Sequence, residues 1–344
     1  MSILVTGGAG FFGGMLKHAL LDQGREVVSV DLVEDTRSRD GLVNVQGDIR
    51  DQDAMRKLFR EHRFETVFHC AAILAHAVKD KNFLWTSNVD GTRVVAEEAR
   101  GAGTRSLVFT SSNCLWSKNF DEPVNESEPT KPAEVYGHSK LEGEKILQGF
   151  ANDLDVVTLR VPTIVDRGRL GLLAILFEFI EEGRKVWLVG PGNNRYQFLY
   201  AKDLINAAQK SAALGRSDLF HLGSDNVSTL REVYAHVVEV AGTGARLASL
   251  PGWFALPAMR LAYWSKLSPL GPYQYKMIAS TFMFDTNKAK EALDWQPTLT
   301  NKEMLAEAFL YYRKNREEIH NREDVSAHRQ AAKMGIIRLL KWIS

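Results

Sequence analysis

Thr6-Gly7-Gly8-Ala9-Gly10-Phe11-Phe12-Gly13 joins an apolar run, Ile3 to Thr6, to a helix-period stretch, Gly13 to Gln23. Gly7, Gly10 and Gly13 form a GxxGxxG pattern between strand and helix, which lets backbone approach a pyrophosphate at a helix N-terminus. A glycine turn alone equally serves tight packing. The second strand decides between the two. Its β-branched run, Val27 to Asp31, closes on an acidic residue at about the twenty-residue spacing of a ribose-binding carboxylate. Gly7, Gly10, Phe11, Phe12, Gly13 and Asp31 are therefore expected to bind a dinucleotide. Asp31 would repel a 2′-phosphate and favours NAD, while Arg37 and Arg39 keep NADP as a second reading.

Outward from this turn, Thr66 to His69, Leu107 to Ser111 and Val156 to Val161 are apolar on consecutive positions, as buried parallel strands are. They alternate with the helical stretches Asp53 to His62, Ser87 to Ala102 and Val135 to Phe150. The pattern predicts an α/β fold: a Rossmann-type doubly wound parallel sheet over residues 1–165. Beyond residue 165 it loosens into a helix at Arg167 to Glu182, a strand at Lys185 to Val189, and helices at Ala201 to Ala213 and Thr229 to Ala241. Residues 166–305 are expected to form a smaller α/β substrate lobe, partly interleaved with the sheet, and 306–344 a helical tail.

Tyr136-Gly137-His138-Ser139-Lys140 places a phenol and an ammonium on one helix face. A nearby cation lowers a phenol's pKa from about 10, so Tyr136 can take a hydroxyl proton while hydride leaves the same carbon. Such a pair is also an ordinary solvated helix face. Ser112, at the end of the Leu107 to Ser111 strand, adds a hydroxyl where ligands of open α/β sheets bind, although Ser111 fits a strand-end hydroxyl as well. His69, His76 and His138 complete no metal set, and a lone histidine at a strand end is more often packed than catalytic.

These motifs, with Gly47-Asp48-Ile49-Arg50-Asp51, His69-Cys70-Ala71-Ala72, Asn88-Val89-Asp90-Gly91-Thr92 and the closing Phe284-Asp285-Thr286 and Leu293-Asp294-Trp295-Gln296-Pro297, resemble the extended short-chain dehydrogenase/reductase family in its NAD-dependent epimerase/dehydratase branch. The resemblance runs from Ser2 to about Thr300. It implies that Asp48 and Ile49 meet the adenine, that Cys70, Ala71 and Ala72 line the cofactor groove, and that Asn88 supports its wall. Ser112, Tyr136 and Lys140 would be catalytic, with Tyr136 and Lys140 also at the cofactor. Pro162 would join the cofactor site, and Ser112, Thr163 and Arg195 the substrate site. Two departures stand out. Arg160-Val161-Pro162-Thr163-Ile164-Val165-Asp166 lacks the family's Asn-x-Tyr-Gly, and Arg195-Tyr196-Gln197-Phe198-Leu199-Tyr200 alters its RDFxYVDD-like segment.

Lys plus Arg (43) balance Asp plus Glu (42) to a formal charge of +1, so no global field favours nucleic acid. Cys70 and Cys114 form neither a CxxC nor a Cys/His cluster; no metal site is expected, and a reducing cytoplasm fits. No apolar run reaches the roughly 18 residues of a membrane span, and the N-terminus lacks the basic and apolar regions of a signal peptide. Lys333 to Ile343 mixes apolar bulk, three cations and a tryptophan, suiting either peripheral membrane contact or a terminal helix docked on protein. A nucleotide sugar is the leading substrate. An NAD-dependent dehydrogenase of a hydroxysteroid-like or lipid-linked alcohol is the alternative, with the aromatic segment Trp253 to Met277 suited to its pocket. A non-enzymatic NAD-binding regulator is a third reading, disfavoured by the intact serine, tyrosine and lysine. The resemblance further implies a homodimer through Ser87 to Ala102 and Val135 to Phe150.

Overall fold

The computed structural model describes residues 2–74, 80–169, 173–265 and 278–320. Its first half runs β1 (Ser2–Thr6), α1 (Phe11–Asp22), β2 (Val27–Asp31), β3 (Leu42–Gln46), α2 (Gln52–Glu61), β4 (Phe64–His69), α3 (Lys81–Gly101), β5 (Ser106–Thr110), a 3-10 turn (Asn113–Leu115), α4 (Val135–Gln148) and β6 (Asp155–Arg160). The second runs β7 (Thr163–Val165), α5 (Leu173–Glu181), β8 (Lys185–Val189), β9 (Phe198–Tyr200), α6 (Ala201–Ala212), β10 (Asp218–His221), α7 (Leu230–Ala241), β11 (Arg246–Leu250) and α8 (Gly252–Trp264). After it come α9 (Asn287–Leu293), α10 (Asn301–Lys314) and α11 (Arg316–His320). Among the described residues, no helix is long and apolar enough to cross a membrane.

A seven-stranded parallel sheet in the order β10-β6-β5-β4-β1-β2-β3 carries the fold. From β1 the chain winds to β2 and β3 on one side and then to β4, β5 and β6 on the other. The order reverses between β1 and β4, and the crevice beyond their carboxyl ends is where such sheets bind ligands. The strands are apolar on both faces because both faces are covered. Leu4, Val28, Val67 and Leu107 pack with Met55, Phe59, Val95 and Leu147 of α2, α3 and α4. Ile3, Val5, Val108 and Val157 pack with Leu16 and Leu20 of α1 and Leu204, Ile205 and Ala208 of α6.

The second half divides between two layers. α6, β10 and α9 join the sheet, whereas α5, α7 and α10 build a separate core around Phe177, Val233, Phe309 and Tyr312. β3 is absent from the expected strands because it is a half-buried edge whose apolar signal is weak. The helix expected from Arg167 is described only from Leu173, after a turn at Arg167–Gly168. Thr229 caps α7 with a reciprocal capping box. Trp253, Phe254, Leu261 and Trp264 of α8, in the segment suggested for an apolar substrate, are exposed. Residues 266–277, His76 and the tail segment 331–344 lie outside the described residues.

His69 and His221 are buried and neutral. His69 Nδ1 is 2.7 Å from Thr6 Oγ1 and Nε2 is 2.8 Å from Thr92 Oγ1. Thr92 donates its own proton to the Asn88 carbonyl, so His69 carries hydrogen on Nε2. His221 Nδ1 donates to the Val124 carbonyl at 2.9 Å. Burial pushes both imidazoles from 6.5 down to about 3. A depressed folded pKa contributes stability that is complete above pH 6.5 and lost as pH falls toward 3. Unfolding should thus take up about half a proton per histidine at pH 6.5 and close to one at pH 5, where the slope reaches about 1.4 kcal/mol per pH unit each. Denaturant unfolding across that window should show it, and His221→Gln should make the slope shallower; a pH-independent midpoint would contradict it.

Candidate active site

The glycine turn is closed by contacts that admit no side chain. Gly7 has a φ of +73°, and a Cβ there would stand 2.8 Å from the Ala71 backbone. A Cβ on Gly13 would stand 2.3 Å from the Gly7 carbonyl oxygen, so α1 starts directly against the turn. Phe11 and Phe12 open α1 with their rings buried. Asp31 accepts from the Ala9 N–H at 3.0 Å and the Val33 N–H at 3.1 Å, which fixes its carboxylate at the end of β2 beside the turn.

Across the switch point, Cys70 N–H donates to the Thr6 carbonyl and Ala71 N–H to Thr6 Oγ1, so Cys70, Ala71 and Ala72 run alongside the turn. Burial pushes the Cys70 thiol up to about 12, leaving it an inert groove wall. Asn88 braces that wall: its Oδ1 accepts from Ile73 N–H at 2.7 Å, and its Nδ2 donates to the Ile73 carbonyl and to Ser139 Oγ. Asp48 is paired bidentately with Arg50, and Ile49 is buried against Gly91.

At the carboxyl end of β5 the two serines separate in role. Ser111 Oγ donates to Glu144 at 2.5 Å and is turned into the protein, whereas Ser112 Oγ accepts from Cys114 N–H and hydrogen-bonds Tyr136. Gly137 sets this approach, since a Cβ there would meet the Cys114 carbonyl oxygen at 2.3 Å. Lys140 is 3% exposed, donates to the Thr110 carbonyl at 2.8 Å and lies 4.5 Å over the Phe109 ring. Burial lowers its ammonium to about 8.

The expectation that Lys140 lowers the Tyr136 phenol needs correcting. Burial is the largest influence on Tyr136 and pushes it up, with Cys114 adding to the rise. Arg169 and the Ser112 hydrogen bond oppose it. Lys140 is directed at the Thr110 carbonyl, so the cation acting on the phenol is Arg169, a residue with no motif to mark it. Arg169 also lies 5.5 Å over the Phe11 ring, placing it between the glycine turn and Tyr136.

Tyr136, Lys140 and Glu144 form one stripe of α4. Glu144 is bound by Arg160 through Nε at 3.0 Å and Nη2 at 2.7 Å, both side chains under a tenth exposed. Glu144→Gln strands a buried guanidinium and should lower stability by about 3 kcal/mol. The double variant Glu144→Met, Arg160→Met should recover most of that in urea unfolding, and equal losses for single and double variants would contradict the pairing.

Pro162 is buried after β6, and Thr163 Oγ1 is 3.3 Å from the Tyr196 hydroxyl, which also accepts from Asn113 Nδ2 at 2.8 Å. Arg195 is exposed, whereas Tyr196 beside it is buried. Adjacent residues of extended chain point to opposite sides, so Tyr196 turns inward and Arg195 outward. Arg195 lines a polar cleft of 650 Å³ with Asp121, Asp225 and Lys290, whose lining includes neither Ser112, Tyr136 nor Lys140. Among the described residues no group of histidines, cysteines and carboxylates is arranged to hold a metal.

Residues 3–219 match the NAD dependent epimerase/dehydratase family. The chain belongs to that family. It is therefore an NAD-dependent enzyme of the extended short-chain dehydrogenase/reductase type, with the Rossmann-type fold its sequence implied. This family member is 34% identical to the Sinorhizobium fredii protein y4nG across 98% of its own length and 85% of the relative. It is 28% identical to a UDP-glucose 4-epimerase of Mycolicibacterium smegmatis, over 91% of this chain and 99% of the relative. In structure it resembles the UDP-glucose 4-epimerase of Thermotoga maritima solved with UDP-glucose: TM-score 0.77, 26% identity, covering 92% of this chain and 99% of the other. The cradle left by Gly7 and Gly13, walled by Cys70 to Ala72 and ending at Asp31, fits an NAD whose pyrophosphate crosses the turn.

Proposed function

We propose that this enzyme is a sugar-nucleotide epimerase in which Tyr136 removes a sugar hydroxyl proton as hydride leaves the same carbon. The hydrogen-bonded Ser112–Tyr136 pair at the carboxyl end of β5, beside the glycine cradle, carries this reading. Its likeness along nearly the full length of UDP-glucose 4-epimerases supports the substrate class.

Backbone N–H groups of Phe11 and Phe12 would meet the cofactor's pyrophosphate, Asp31 the adenosine ribose, Asp48 and Ile49 the adenine, and Lys140 the second ribose. NAD, when bound, supplies a hydride acceptor and donor at the carbinol carbon. Ser112 would orient the reacting hydroxyl, holding it within reach of the Tyr136 oxygen. Burial disfavours the charged phenolate, so Arg169 and the Ser112 hydrogen bond are the groups that ease proton removal. Thr163, Asn113 and Tyr196 offer neutral hydroxyl and amide contacts to the sugar where other family members present an asparagine.

The same reading carries a homodimer through α3 and α4, whose mass light scattering would find at twice the monomer's. A panel of nucleotide sugars incubated with the purified protein tests the activity. One member should be converted to its epimer by NMR without net NADH. Turnover of a lipid-like alcohol with stoichiometric NADH, and of no nucleotide sugar, would overturn it.

A further inference from the structure

Lys17 lies on α1 one turn past Gly13, yet its side chain is fully buried. Its ammonium meets Asp35 Oδ2 at 2.6 Å, Asn44 Oδ1 at 3.2 Å and Ser29 Oγ at 3.3 Å. A buried ammonium persists only where it is paired and hydrogen-bonded, and here Asp35 supplies the charge. Asp35, with its side chain 8% exposed, also holds Arg37. Nε of Arg37 reaches Oδ1 at 2.8 Å, Nη2 reaches Oδ2 at 2.6 Å, and the Arg37 backbone N–H donates to Oδ1. Asn44 Nδ2 clips the same loop to β3 through the carbonyls of Asp35 and Arg37.

This loop leaves β2 directly after Asp31, the carboxylate at the edge of the glycine cradle. Arg37 is thus a guanidinium close in sequence to the ribose end of the site whose fork is already filled by a carboxylate. Arg39, the other such arginine, is turned to Asp22 at 2.5 Å. A guanidinium bound bidentately to carboxylate is not available to a phosphate of the same geometry.

We propose that Asp35, anchored by Lys17, withholds Arg37 from the 2′ position of the adenosine ribose and so, with Asp31, makes the site select NAD over NADP. Asp31 excludes the 2′-phosphate by repulsion, and Asp35 excludes it by occupying Arg37, the guanidinium in the loop that follows Asp31. The proposal rests on the ribose lying at Asp31.

The test is calorimetric binding of NAD, NADP and 2′,5′-ADP, which needs no turnover. D31S should weaken NAD; unchanged NAD affinity would remove the ribose from Asp31 and the proposal with it. D31S/D35N should bind NADP and 2′,5′-ADP at least about tenfold more tightly than D31S, the worth of a freed phosphate-binding fork. D31S/D35N/R37A should lose that gain. D31S/K17M/D35L, which replaces the buried ion pair by apolar volume, should show the same gain in a well-packed protein. Equal NADP affinity in D31S, D31S/D35N and D31S/K17M/D35L would overturn the proposal, as would a gain that survives removal of Arg37.

Discussion

Replacing Tyr136 by phenylalanine should lower turnover by about a thousandfold while NAD still binds, since general acid–base catalysis by a positioned side chain contributes roughly 10²–10⁴-fold. The substitution removes one oxygen from a ring held on α4 by the close Gly137–Cys114 contact, so the helix and the Ser112 loop keep their places. A loss in turnover with NAD affinity retained separates proton transfer from cofactor assembly. Ser112→Ala should fall in the same direction, because it removes a hydrogen bond that favours the charged phenol. Activity of the Tyr136→Phe variant within a few-fold of the parent would end the assignment of the phenol as the base.

Gly13→Ala should weaken NAD binding by about a hundredfold or more. The added methyl would lie 2.3 Å from the Gly7 carbonyl oxygen, a backbone atom that cannot swing aside. Relief requires the start of α1 to move away from the turn, and its N–H groups are those proposed to meet the pyrophosphate. About 2.7 kcal/mol of lost binding corresponds to that hundredfold. Fluorescence titration with NAD measures it, and an affinity equal to the parent's would show that the turn does not hold the pyrophosphate.

The parallel sheet was legible because its strands are buried on both faces and so read as consecutive apolar runs. Val27–Asp31 of that sheet was bounded to the residue, as was Lys185–Val189 outside it. β3 and β10 were not legible: one is a half-buried edge and the other is four residues long. The glycine turn, Asp31 and the Tyr136–Lys140 spacing were visible as motifs, since each depends on short sequence separations. Lys17 and Arg169 were invisible for the opposite reason. Lys17 reads as one cation on an amphipathic helix, and only the fold brings Ser29, Asp35 and Asn44 around it. Arg169 reads as one cation at the start of the helix expected over Arg167 to Glu182 until Phe11 and Tyr136 are beside it. The expected effect of Lys140 on Tyr136 failed because helical spacing puts two residues on one face without saying where a long side chain ends. Lys140 ends on the Thr110 carbonyl.

Tyr196 and Arg195 show the same limit. Both sit in an altered segment, and only the alternation of extended chain decides which one faces inward. The inward one is a tyrosine bonded to Asn113 and Thr163, a neutral, hydroxyl-rich cluster where the proposed reading places the sugar.

The most direct test traces a deuterium label on the reacting carbinol carbon of whichever nucleotide sugar the purified protein converts. The proposed reversible hydride transfer predicts that its epimer forms with the deuterium still on that carbon, with no net NADH and no label in solvent. Deuterium appearing in released NADH, or every nucleotide sugar returned unchanged, would contradict the account.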